Sequence, residues 1–200
     1  ESAAKYSTTK TKALNLGVYG SDLSFISLYD QTQESMLYLK CTNTLATGLG
    51  ITGSFDEKTT TQIQENMDKK DSLIAIINRS FWTADNYLVD NGQPGVSSLI
   101  VAGGWIEGLY IATRVAADTK NKPIIDQIVA RKASLESLID LLETFKAENE
   151  GIADVLKGMN DLKTIYEKAS AEKEKGDVSD DTFKTLSAKA AEVRSSFIKI

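Results

Sequence analysis

The sequence predicts an all-α protein, a helical bundle of about six helices, on three observations. Apolar residues recur at three- and four-residue spacing in almost every segment, strand-like alternation never persists, and only two prolines interrupt 200 residues. A chain of this length buries enough apolar surface to fold without staples, and the single Cys41 has no partner for a disulfide within the chain. The expected organisation is a flexible polar tether over residues 1–12 (ESAAKYSTTKTK), then one helical-bundle domain over 13–200. Within that domain, 13–150 reads as the core and 151–200 as a C-terminal helical hairpin.

The first helix is expected from about Ala13 to Thr47, carrying Leu16, Tyr19, Leu23, Ile26, Leu37 and Leu45, with a kink where Asp30 to Glu34 interrupts the apolar stripe. Gly48-Leu49-Gly50 ends it. Ser54 to Glu57 has the form of a capping box and predicts the start of a second helix, whose stripe is Ile63, Met67, Ile74, Ile77, Phe81 and Leu88. The turn Asp90-Asn91-Gly92-Gln93-Pro94-Gly95 closes it. The third helix, Val96 to about Ala117, is the most apolar, and Glu107 and Arg114 within it favour a buried central helix over a membrane span. A fourth helix opens near Pro123 and keeps its spacing through Leu135, Leu138, Leu142 and Phe145; a fifth carries Ile152, Val155, Met159, Leu162 and Tyr166. The sixth carries Phe183, Leu186, Ala190, Val193, Phe197 and Ile200, with Ser179 as N-cap and Asp180 and Asp181 in its first turn.

An internal echo links Gly17-Val18-Tyr19-Gly20-Ser21-Asp22-Leu23 with Gly103-Gly104-Trp105-Ile106-Glu107-Gly108-Leu109. It suggests two pseudo-repeated helical hairpins, followed by the C-terminal hairpin.

Composition removes most familiar chemistry. With no histidine, a serine or cysteine triad lacks its imidazole base, and a zinc or di-iron site lacks its usual nitrogen ligands. No calcium loop is present, so neither a metal nor another cofactor is expected. The 28 acidic and 23 basic side chains are interleaved for a net charge of −5, which leaves no basic face for nucleic acid.

Glycine within a helix costs roughly 1 kcal/mol relative to alanine, so Gly17, Gly20, Gly103, Gly104 and Gly108 call for a reason. One reading is close helix packing; the other is a ligand cavity rimmed by Tyr19, Trp105 and Tyr110, with Asp22 and Glu107 as its polar groups. Both acids sit among apolar neighbours, where an unpaired charge is costly, so Glu107 is expected to pair with Arg114 and Asp22 to hold a helix terminus, or else the two acids face one another. Trp82, Asp85 and Tyr87 form a second aromatic-acid cluster, suited either to gripping a ligand or to capping the bundle.

Residues 13–25 (ALNLGVYGSDLSF) and 103–112 (GGWIEGLYIA) resemble a family of uncharacterised secreted or lipid-anchored proteins of Bacteroidetes-type bacteria, marked by NLGVYGxDL and GGWIEGLY motifs. The resemblance implies a periplasmic or outer-surface chain with a lipid anchor upstream of residue 1, and it assigns no catalytic residue. A start at Glu1 followed by a polar stretch agrees with that expectation. The functional expectation is a non-enzymatic helical binding module for a small molecule or protein partner, without a transmembrane segment in this chain. A structural or assembly role through an exposed helix face is the alternative, and a carboxylate-dependent enzyme ranks third.

Overall fold

The computed structural model describes residues 3–29, 31–51, 53–66 and 69–199. Among them the chain is mostly helical and holds no strand, so the all-α class stands, with more helices than the expected six. Glu1, Ser2, Asp30, Met67 and Ile200, to which parts of the sequence reading were assigned, lie outside the described residues. The chain divides into two compact units, one reaching to Trp105 and one from Ile106 to Lys199, so the division falls inside a helix.

In the first unit residues 3–12 of the expected tether are already part of the fold. Ala3 and Tyr6 are buried, and helix α1 (Thr9–Ile26) begins four residues earlier than Ala13, opened by a reciprocal capping box between Thr8 and Thr11. Six consecutive α1 residues, Ala13 to Val18, are buried, which means the helix is covered on all sides.

The first expected helix is in fact two. The Ser24 and Ser27 hydroxyls donate back to the Gly20 and Leu23 carbonyls, a short 3-10 turn follows at Ser27–Tyr29, and α2 (Thr32–Gly48) runs back along α1. Lys12 Nζ donates to Gly48 O at 3.2 Å, tying the start of α1 to the end of α2. The reason is apolar surface: folding back buries Leu39 and Leu45 in the unit that also buries Leu16 and Leu23, where one straight helix would leave a stripe in water. Leu37, expected on that stripe, is instead exposed.

The second expected helix also divides, into α3 (Glu57–Glu65) and α4 (Lys70–Asp90). Its N-cap is Asp56, whose carboxylate accepts from Thr59 N at 2.8 Å; Ser54, expected to cap, lies in the preceding loop. Leu23, Leu39, Ile63, Leu73, Ile76 and Ile77 form a core cluster drawn from α1 to α4. Gly92, with φ at 69°, makes the turn into α5 (Pro94–Thr119), which opens on Pro94, two residues before the expected Val96. By length and composition α5 is apolar enough to cross a bilayer, and 61% of its most apolar window is buried in the fold.

The second unit takes the C-terminal half of α5, then α6 (Lys122–Val129), α7 (Lys132–Phe145), α8 (Gly151–Glu174) and α9 (Asp180–Ile198). The expected fourth helix breaks at Ala130-Arg131 into α6 and α7. Asn121 caps α6 and Ser179 caps α9, each side chain accepting from a backbone N–H three residues on. The stripes of α7, α8 and α9 are buried at the residues the spacing selects, from Leu135 and Leu142 through Met159 and Tyr166 to Leu186, Val193 and Phe197. Glu172, near the end of α8, accepts from Ser179 N at 2.8 Å and from Thr182 Oγ1 at 2.7 Å, which clamps the loop between α8 and α9.

Candidate functional site

The two glycine motifs of the sequence echo meet where α1 crosses the first half of α5. A Cβ on Gly17 would stand 2.0 Å from Ile100 O and 2.5 Å from Gly104 N; one on Gly103 would stand 2.0 Å from Leu14 O. The backbones therefore touch because neither helix has a side chain there. Ser21 Oγ adds a hydrogen bond across the crossing, donating to Gly104 O at 2.9 Å. Gly20 makes room for something else, since its missing Cβ would lie 2.1 Å from the Phe81 ring of α4. Gly108 faces open space and serves no close approach.

Beside this crossing, α1, α4 and α5 leave an open cleft of about 350 Å³. Its floor is Gly17, Gly20 and Gly104; Phe81, Ile100 and Trp105 supply apolar walls. Polar groups are few: Ser21, Ser24 and Asn78 at the wall, and Asp85, whose carboxylate accepts a hydrogen bond from the Ser97 hydroxyl. A mainly apolar concavity with one oriented carboxylate has the composition of a small-ligand site.

Of the residues expected to rim a single cavity, the cleft holds only Trp105. Tyr19 belongs to an aromatic cluster, its ring 6.4 Å from that of Tyr6 and 5.8 Å from that of Tyr38. Burial there, reinforced by the hydrogen bond with Tyr6, pushes its phenol well above the ordinary tyrosine range. Asp22 is half-buried on α1 and does not line the cleft. Asp85 does line it, whereas its neighbour Trp82 is 66% exposed.

Glu107 and Tyr110 come together in the second unit, through a residue that sequence reasoning missed. Glu107 is 1% exposed, and its Oε2 accepts from Arg194 Nε of α9 at 2.5 Å. The expected pairing with Arg114 does not form; Arg114 is exposed. The Arg194 guanidinium also lies over the Tyr110 ring, 4.5 Å from its centroid. A signal for Arg194 was present: an arginine set between Ala190 and Phe197 at helical spacing must bring its charge onto an apolar face.

The second unit also carries an open hollow of about 770 Å³ at the starts of α6 and α9. Two ion pairs stand at it: Lys122 pairs with Asp177, holding that carboxyl below its usual range, and Asp126 pairs with Lys173 at 2.7 Å. Among the described residues no three histidine, cysteine or acidic side chains converge as metal ligands would. Comparison with protein-family models, with curated proteins and with solved structures gives no match.

Proposed function

We propose that the chain is a non-enzymatic, envelope-side binding module whose cleft between α1, α4 and α5 takes a small ligand with an apolar, preferably aromatic body and a hydrogen-bond-donating or cationic group. The observation that carries this reading is the cleft itself: glycine floor, Phe81 and Trp105 walls, and an Asp85 carboxylate oriented by Ser97. One carboxylate oxygen is engaged by Ser97, and a donor on the ligand would engage the other. The envelope-side placement, with a lipid anchor upstream, rests on the motif resemblance alone. A carboxylate enzyme finds no support in Glu107, because Arg194 already holds that acid.

The alternative reading, a structural or assembly protein, is supported by Trp82 and Val89. These lie seven residues apart on α4 and are both exposed, so they share one face of that helix.

The test is a tryptophan-fluorescence titration with 2-phenylethylamine and its neutral analogue 2-phenylethanol, in a Trp82→Phe background that leaves Trp105 as the reporter. The binding reading expects a saturable response to the amine, weakened about ten-fold by Asp85→Asn, while the alcohol is affected less. No saturable response to either compound refutes it, and a concentration-dependent mass lost on Trp82→Ser would favour assembly.

A further inference from the structure

A second concavity in the first unit has the opposite chemistry. The loop before α3, the start of α3 and the middle of α4 enclose a hollow of about 340 Å³ whose lining is polar: Ser54, Lys58, Thr59, Gln62, Arg79 and Thr83 stand around it. Three features there lack an internal explanation. Ser54 is 1% exposed, yet its Oγ has no hydrogen-bond partner, a state that native proteins rarely leave unsatisfied. Arg79 makes one side-chain hydrogen bond, from Nη2 to Gln62 Oε1 at 3.1 Å, and no ion pair among the described residues. Lys58 has no ion pair among them either.

We propose that this hollow binds a tetrahedral oxyanion, phosphate or sulfate, held by the Arg79 guanidinium, the Lys58 ammonium and the Ser54 hydroxyl. The donors come from three different elements, α4, α3 and the loop, so they approach from directions that are not coplanar. Such a set suits four tetrahedral oxygens better than a planar carboxylate. The Ser80 and Thr83 hydroxyls donate to the Ile76 and Arg79 carbonyls and the Thr59 side chain hydrogen-bonds Asp56, which leaves Ser54 as the hydroxyl with a proton to offer. The start of α3 contributes little, because the Asp56 carboxylate occupies it through Thr59 N. Asp56 is also the one acid in the lining, against two cations, so its charge opposes the anion while its capping bond holds the loop. This site shares no residue with the cleft of the proposed function and stands or falls without it.

The experiment is isothermal titration calorimetry of the full chain with sodium phosphate, sulfate and acetate at constant ionic strength, with helical content checked by circular dichroism. Saturable binding of phosphate or sulfate is expected, weakened about ten-fold in Arg79→Gln and several-fold in Ser54→Ala. Asp56→Asn keeps a good N-cap and removes the opposing charge, so it should tighten the anion. Lys184→Gln, a cation removed from the second unit, should change nothing. The proposal is overturned by the absence of saturable binding, by tighter binding of acetate, by weaker binding in Asp56→Asn, or by equal losses in Arg79→Gln and Lys184→Gln. Should Arg79→Gln fail to fold, Ser54→Ala and Asp56→Asn still decide the matter, since the first removes only a hydroxyl that has no partner and the second keeps the N-cap of α3.

Discussion

Gly17→Ala and Gly103→Ala should be among the most damaging single-methyl changes in this chain, while Gly108→Ala should help. Each adds the same atom to a helix, so each gains about 1 kcal/mol of helix propensity. They differ in what the new methyl meets. At Gly17 and Gly103 it would stand 2.0 Å from a backbone oxygen, far inside ordinary contact at 3.4 Å, and a carbonyl in a helix cannot swing aside as a side-chain tip can. Relief requires the two helices to separate, which also disturbs the Ser21 hydrogen bond to Gly104 O at 2.9 Å. Overpacking of this kind costs about 3 kcal/mol or more, so the net destabilisation is about 2 kcal/mol at least. That corresponds to a fall of roughly 4–8 °C in the melting temperature of a chain of this size. Gly108, with nothing within 4 Å, should return the propensity gain alone. Differential scanning calorimetry of the three variants decides it. If Gly17→Ala and Gly103→Ala melt as late as Gly108→Ala, the backbones do not touch at this crossing and the reasoning is wrong.

Arg194→Met should destabilise the second unit by about 3 kcal/mol, because it strands the buried Glu107 carboxylate, and adding Glu107→Leu should recover most of the loss in urea titrations. The estimate sits at the low end for a broken buried pair because the Arg194 side chain is 23% exposed and water moderates the break. Acid should loosen the loop between α8 and α9. The Ser179 N–H and then the Thr182 hydroxyl hold the Glu172 carboxyl below its ordinary 4.5, so the folded form favours the ionised acid. Its stabilisation is complete above that ordinary value and is lost as pH falls through the lowered one. Denaturant titrations across that range should show a shallower acid loss in Glu172→Gln than in the wild type, and identical slopes would contradict the clamp.

What the sequence disclosed of the fold was its local grammar. The stripe of Leu135, Leu138 and Leu142, the N-cap Ser179 and the acids Asp180 and Asp181 depend on neighbours within a turn or two, and periodicity reads such relations directly. Helix ends inside long apolar runs were harder. The fold-back after Ile26 depends on Leu39 and Leu45 reaching a core that is distant in sequence, and the break at Ala130-Arg131 carries neither glycine nor proline. The site was legible in its backbone and not in its side chains. Gly17 and Gly103 hint at a close approach because glycine costs a helix stability, although Gly108 shows that the hint alone does not decide, and nothing local says that Phe81 or Asp85 will stand beside them. Arg194 lies 87 residues from Glu107, so the partner of a plainly buried acid stayed hidden.

Helix α4 explains how one unit carries two concavities of opposite character. Asn78, Phe81 and Asp85 are spaced by three and four residues and so fall on one face, which lines the apolar cleft. Arg79, Ser80 and Thr83 fall on another and line the polar hollow. Between them runs the buried face of Leu73, Ile77, Ala84 and Leu88, which fixes the helix against the core. A helix anchored along that middle strip cannot rotate toward one concavity without dragging apolar side chains out of the core. Substitutions of polar side chains at one site therefore leave the other in place, so Asp85→Asn and Ser54→Ala report on separate ligands. If the two variants altered each other's binding, the coupling would have to pass through movement of α4, and the buried strip would not be the rigid wall that its burial implies.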